Sequence, residues 1–249
     1  MANWYPGHMV ATQKTIRELA PYVSGFVEVV DARAPSATRH RPLGSWIGKT
    51  PLIVVLNKAE LADPSATQHW AAFLRADPRV LAVVTLTATD PRARRLLLGT
   101  IAARLAPPRR LSVVGLPNVG KSTLLNRMVG QNRVATGAKP GLTRGPQWIR
   151  PGDGWEWLDL PGVVTPSKTR DWRLQALGVV AIGPDETELV AQQLTTVLDK
   201  EMLGEFEAWG LKRGYLSNGG KLDRLRTAQA ILSEFRRGKF GRVSLEAPE

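Results

Sequence analysis

Apolar positions follow two different rhythms along this chain, and the change of rhythm divides it. Up to about residue 160, short β-branched runs alternate with stretches of helical period, which predicts an α/β fold. Residues 25–31 (GFVEVVD) read as a strand, as do 51–56 (PLIVVL), 80–86 and 111–114. Runs that are apolar on both faces suit a mostly parallel sheet covered by helices on both sides. Residues 146–150 and 155–158 read as a hairpin around Pro151-Gly152-Asp153-Gly154. Helices are expected over 65–75, 91–105 and 121–130.

After residue 166 the strand signal stops, and 168–182, 187–209 and 221–237 read as helices. In the last of these, Leu222, Leu225, Ala228, Leu232 and Phe235 recur at three- and four-residue steps and predict a bundle core. Arg224, Arg226, Arg236 and Arg237 fall off that stripe; Gly210 and the pair Gly219-Gly220 read as breaks between helices. The expected organisation is an α/β domain over 1–167 and a small all-α domain over 168–249.

Composition sharpens this picture in three ways. With 43% hydrophobic residues in 249, the chain can bury a sizeable core. It has no cysteine, which excludes disulfides, thiolate metal sites and a thiol nucleophile. No apolar signal core occupies residues 1–10, and no run approaches the roughly 20 apolar residues of a membrane span. A cytoplasmic, monomeric protein with no membrane partner is expected. The net charge of +12 favours a polyanionic partner, RNA first. Residues 1–165 hold 21 Lys+Arg against 10 Asp+Glu, whereas 166–249 hold 13 against 12. The second part is itself split, with seven acids and one base over 185–207 and nine bases and four acids over 209–249.

Gly115-Leu116-Pro117-Asn118-Val119-Gly120-Lys121-Ser122 fits the phosphate-loop pattern G-x-x-x-x-G-K-S/T, between a predicted strand and a predicted helix. Backbone N–H groups of Asn118, Val119, Gly120 and the residues that open the helix, through Thr123, would converge on phosphates there. Lys121 would reach the β- and γ-phosphates, and the Ser122 hydroxyl would bind Mg²⁺. Asp159-Leu160-Pro161-Gly162 closes the hairpin strand: Asp159 is placed to hold Mg²⁺, and Gly162 to offer its N–H to the γ-phosphate. Thr143, in Pro140-Gly141-Leu142-Thr143, could complete the metal shell.

Asn57-Lys58-Ala59-Glu60 looks like the guanine-reading N-K-x-D signature, yet it lies 58 residues before Gly115. A carboxylate at Glu60 would accept two hydrogen bonds from the N1–H and N2–H₂ edge of guanine, a contact worth about 1–3 kcal/mol of discrimination. Asn57 would tie loops together, and the Lys58 stem would lie along the base. Thr87-Ala88 sits where a Ser-Ala base-contact loop is expected. In ordinary GTPases these parts come in the reverse order. Joining the two halves through 91–105 and Pro107-Pro108 restores one sheet: a P-loop GTPase fold, circularly permuted. The cut would place the helical domain directly after Gly162, where the γ-phosphate is sensed.

With these motifs assembled, the chain resembles the circularly permuted GTPases, and closely the YlqF/RbgA ribosome biogenesis group. Trp4-Tyr5-Pro6-Gly7-His8-Met9, Val30-Asp31-Ala32-Arg33-Ala34-Pro35, the motif order and the basic 236–242 stretch carry the resemblance over nearly the whole chain. Glu60 for Asp and Thr87 for Ser depart from the pattern, both on the base side. The resemblance implies Mg²⁺-dependent hydrolysis of GTP to GDP, stimulated by an immature large ribosomal subunit of rRNA and proteins. Val163 stands where many small GTPases carry a water-orienting glutamine, and the resemblance implies that His8 takes that catalytic role beside Lys121 and Thr143. In potassium-dependent relatives an asparagine such as Asn118 helps to hold K⁺. Arg33, Arg39 and Arg41 are candidates for RNA or phosphate contact. Two rivals stand beside this reading: a P-loop ATPase or kinase, and an RNA-binding assembly scaffold with vestigial hydrolysis.

Overall fold

The computed structural model describes residues 6–130, 147–160, 171–198 and 204–248. Six strands form one sheet in the order β3-β2-β1-β4-β6-β5. They are β1 (Gly25–Asp31), β2 (Leu52–Asn57), β3 (Val80–Thr85), β4 (Arg109–Val114), β5 (Gln147–Ile149) and β6 (Trp155–Asp159). Every pairing is parallel except the β5–β6 hairpin. The chain therefore builds β1, β2 and β3 outward from the centre, and returns to the centre with β4 on the other side of β1. This is the order that joining a permuted GTPase sheet requires.

Alternation along each strand sends successive side chains to opposite faces. Phe26, Val30, Leu52, Val54 and Leu56 point to one core with Ile16, Trp46, Trp70 and Leu74. These come from helices α1 (Pro6–Leu19), α3 (Leu43–Ile47) and α4 (Pro64–Arg75). A four-residue helix, α2 (Pro35–Thr38), lies between β1 and α3. Val27, Val29, Ile53, Val55 and Val113 point to the other core, which continues through α5 (Arg92–Ala102) and α6 (Lys121–Val129) into the C-terminal helices. Those are α7 (Trp172–Ala176), α8 (Thr187–Thr195), and the Phe206–Lys212 and Arg224–Arg236 helices. Leu194, Phe206, Trp209, Ile231 and Phe235 thus share one apolar cluster with the sheet. Trp155 and Trp157 stack at 6.3 Å inside it.

The helical part differs from expectation in three ways. Among the described residues the stretch 168–182 is helical over Trp172–Ala176, and the stretch 187–209 is divided, helical over Thr187–Thr195 and again from Phe206. Leu225, placed on the core stripe, is 46% exposed, because Ile231 and Thr227 take the buried face instead. Gly210 is not a break: it lies inside the Phe206–Lys212 helix, where a Cβ would come within 2.5 Å of Thr227 Oγ1. Gly219 and Gly220, with φ of +86° and +73°, do form the expected turn.

Candidate nucleotide site

β4 delivers the chain into the glycine loop, and α6 starts at Lys121. Tight approach, not mere flexibility, demands the glycines. A Cβ on Gly115 would lie 2.4 Å from the Val29 carbonyl oxygen, and one on Gly120 would lie 2.2 Å from Asn57 Nδ2. Both residues have positive φ, +144° and +102°, as does Asn118 at +59°. Lys121 Nζ donates to the Leu116 carbonyl at 2.7 Å, so its side chain folds back over the loop. Ser122 and Thr123 occupy the first turn of α6, where the N–H groups of a helix start and the helix dipole favour an anion.

The base side meets this loop directly. Asn57, 2% exposed at the end of β2, donates from Nδ2 to the Val119 carbonyl at 2.8 Å. Its Oδ1 accepts from the Ala88 N–H at 2.9 Å. One carboxamide therefore bridges the phosphate loop and the loop after β3. Lys58, in the left-handed region at φ +59°, places Nζ 2.8 Å from the Asn118 carbonyl and 2.9 Å from Asp31 Oδ2. Glu60 follows in a short 3₁₀ turn, and its carboxylate accepts a hydrogen bond from the Thr87 hydroxyl. The two departures from the expected base motif thus touch each other, and Thr87 anchors the longer acid. Arg127 of α6 donates to the Ala88 and Thr89 carbonyls at 3.3 and 2.6 Å, fixing that loop from the phosphate side.

Behind Lys58 lies a buried ion pair that the sequence did not disclose. Arg33, read as a candidate RNA contact, is 1% exposed and cannot serve as one. Its Nε and Nη2 pair with both oxygens of Asp31 at 2.9 and 2.8 Å. Burial alone would raise the Asp31 carboxyl, but hydrogen bonds and charge from Arg33, with Lys58 beside it, hold it below the usual carboxylate range. Arg39 is also engaged, donating to the buried Glu28 at 3.1 Å, while Arg41 stays at the surface against Ser36.

Asp159 ends β6 opposite Val113 of β4, which brings its backbone to the same edge of the sheet as the glycine loop. A hydroxyl at Ser122 and a carboxylate at Asp159 are hard oxygen donors of the kind Mg²⁺ takes. Such a donor pair fits an ion whose shell is completed by phosphates and water. Thr143 and Gly162, and the side chains of His8 and Asp159, lie outside the described residues.

Three comparisons bear on this geometry. Residues 110–205 match the family described as 50S ribosome-binding GTPase. The chain is 34% identical to Ribosome biogenesis GTPase A of Thermotoga maritima, over 99% of this chain and 95% of that protein. It is 32% identical to the Bacillus cereus protein of the same name, over 99% of this chain and 94% of that one. The structure of GNP-bound YlqF from T. maritima superimposes with a TM-score of 0.73 at 28% identity, covering 95% of this chain and 98% of that one.

Proposed function

The chain belongs to the ribosome biogenesis GTPase A family, and we propose that it binds the immature large ribosomal subunit and couples GTP hydrolysis to late assembly of that particle. It binds GTP and GDP and hydrolyses GTP. The observation that carries the residue assignment is the Asn57 bridge, because it joins the phosphate loop to the base-reading loops across a reversed chain order.

In this reading the N–H groups from Asn118 to Thr123 and the Lys121 ammonium bind the β- and γ-phosphates. Lys121 lets go of the Leu116 carbonyl to do so. Glu60, held by Thr87, accepts from the guanine edge, with the Lys58 stem along the base. Ser122, Asp159 and Thr143 would hold Mg²⁺, which when bound supplies charge neutralisation at the phosphates. Gly162 donates to the γ-phosphate. His8, as neutral imidazole, accepts a hydrogen bond from the attacking water and orients it. Asn118 Oδ1 is offered to K⁺ while Nδ2 stays on the protein; equal turnover in K⁺ and Na⁺ would remove that role. Residues 1–167 form the GTPase unit of a cytoplasmic, monomeric protein and carry most of the +12 charge that favours rRNA; 168–249 form the helical unit that meets rRNA and ribosomal proteins, its own basic surplus confined to 209–249. Co-sedimentation with large-subunit precursors tests the reading. Retention with a GTP analogue and release with GDP is expected; equal retention in both states would refute the coupling.

A further inference from the structure

The polar contacts around Lys58 close into a ring, and the ring runs through the Arg224–Arg236 helix. From Asp31 it passes to Arg33, whose Nη1 donates to the Phe235 carbonyl at 3.4 Å. The Arg33 guanidinium also lies over the Phe235 ring, 5.0 Å from its centroid. The next residue, Arg236, donates from Nε and Nη2 to the Ala176 and Gln175 carbonyls, both at 2.8 Å. These carbonyls end α7, where Gly178 turns the chain at φ +73°. The Gly178 carbonyl accepts from Asn118 Nδ2 at 2.7 Å, and the Asn118 carbonyl accepts from Lys58 Nζ at 2.8 Å. Lys58 then returns to Asp31 at 2.9 Å.

Both loops that cradle the nucleotide are therefore fastened to two consecutive residues at one helix end. Asp31, Arg33 and Phe235 are 0%, 1% and 3% exposed, so water does not replace these contacts. The Arg236 guanidinium is driven towards lower basicity, by burial first and by the nearby Arg33 charge second. Among the described residues its hydrogen-bond partners are the carbonyls that α7 presents. α7 is also the first described element after Asp159 and the segment that would sense the γ-phosphate.

We propose that Arg33 is a positioning residue, through which the carboxyl end of the Arg224–Arg236 helix sets the affinity of the site for guanine nucleotide. The inference rests on the nucleotide assignment above and adds the route by which the helical part acts on it. By linkage, whatever displaces this helix weakens nucleotide binding, and nucleotide steadies the helix by the same free energy.

Three variants test it: Arg33→Lys, which keeps a charge on Asp31 but loses the fork; Phe235→Leu, which keeps apolar volume but loses the ring face; and Arg236→Met. GDP affinity is measured by calorimetry at a temperature where melting curves show each variant folded. Amide exchange over 224–236 is followed with and without GDP. Arg33→Lys and Arg236→Met should each weaken GDP by about tenfold, and the double variant should be no worse than the weaker single, because one ring is broken either way. Phe235→Leu should fall between wild type and these. GDP should slow exchange at the helix end in wild type and not in Arg33→Lys. Affinities within twofold of wild type in folded variants, or GDP protection that persists in Arg33→Lys, would overturn the proposal. Failure of the wild-type chain to bind GDP would instead overturn the nucleotide assignment itself.

Discussion

Replacing Asn57 by alanine removes a single carboxamide and leaves two loops untied. Its partners, the Val119 carbonyl and the Ala88 N–H, belong to residues that are 0% and 3% exposed. The two bonds are 2.8 and 2.9 Å long. Each buried group left without a partner costs about 1–3 kcal/mol, hence about 2–6 kcal/mol if neither loop relaxes. The loops are surface-linked and can admit water, so the lower end is expected in solution. A loss of about 2 kcal/mol in nucleotide binding corresponds to roughly 30-fold in Kd. Titration of a fluorescent GDP analogue measures this, with a melting curve to separate affinity from folding. Asn57→Asp sharpens the test. It keeps an acceptor for the Ala88 N–H but sets a carboxylate oxygen against the Val119 carbonyl, where Nδ2 had donated. At neutral pH it should bind GDP more weakly than Asn57→Ala, and it should recover as pH falls and the acid gains a proton to donate. An Asn57→Ala variant within threefold of wild type, or an Asn57→Asp variant that is the tighter binder at neutral pH, would refute the bridging role.

Three further outcomes are expected. Thr87→Val removes the hydroxyl that holds the Glu60 carboxylate, and should reduce the preference for GTP over ATP by about fivefold, from a loss near 1 kcal/mol; an unchanged ratio in a competition assay would dismiss Thr87 as an anchor. His40 is buried beside Trp46, and burial lowers its pKa from 6.5 to about 4. The folded state thus resists a proton that the unfolded chain accepts, so stability should fall by about 3 kcal/mol as pH drops from 6.5 to 4; His40→Phe should lack this component in denaturant titrations, and identical slopes in both proteins would contradict it. Gly210→Ala drives a Cβ to 2.5 Å from Thr227 Oγ1 and 2.7 Å from Leu222 Cδ1. Overpacking of about 1–3 kcal/mol should exceed the roughly 1 kcal/mol gained in helix propensity, lowering the denaturation midpoint; a raised midpoint would show that the two helices separate freely.

The α/β part was legible because its signals are local. β-branched runs buried on both faces predicted every strand to within about two residues, and motif spacing placed the phosphate and base loops at one edge of one sheet. The helical part was less legible, since three- and four-residue steps do not say which of two apolar stripes faces inward. Leu225 was therefore assigned to a core that Thr227 and Ile231 occupy. Gly210 looked like a break because glycine weakens helices, yet close packing on Thr227 gives it a different reason to be there. Arg33 could not be read at all from its neighbours. Its burial depends on Phe235, 202 positions away, and a surplus of arginines made a solvent role seem natural.

The strand order also fixes a sequence of events at synthesis. Because β1 pairs with β2 on one side and with β4 on the other, the centre of the sheet keeps an open edge until residues 109–114 have been made. The loops proposed to read the base, Asn57–Glu60 and Thr87-Ala88, are translated before Gly115 exists. Nucleotide cannot template them, since half of its cradle has not yet emerged. Until then the early half has only its own contacts, and neither Phe235, against which Arg33 is buried, nor Asn118, which holds Lys58, has been made. A ribosome pausing before residue 109 would hold a chain with an exposed central edge, the state from which misassembly is easiest.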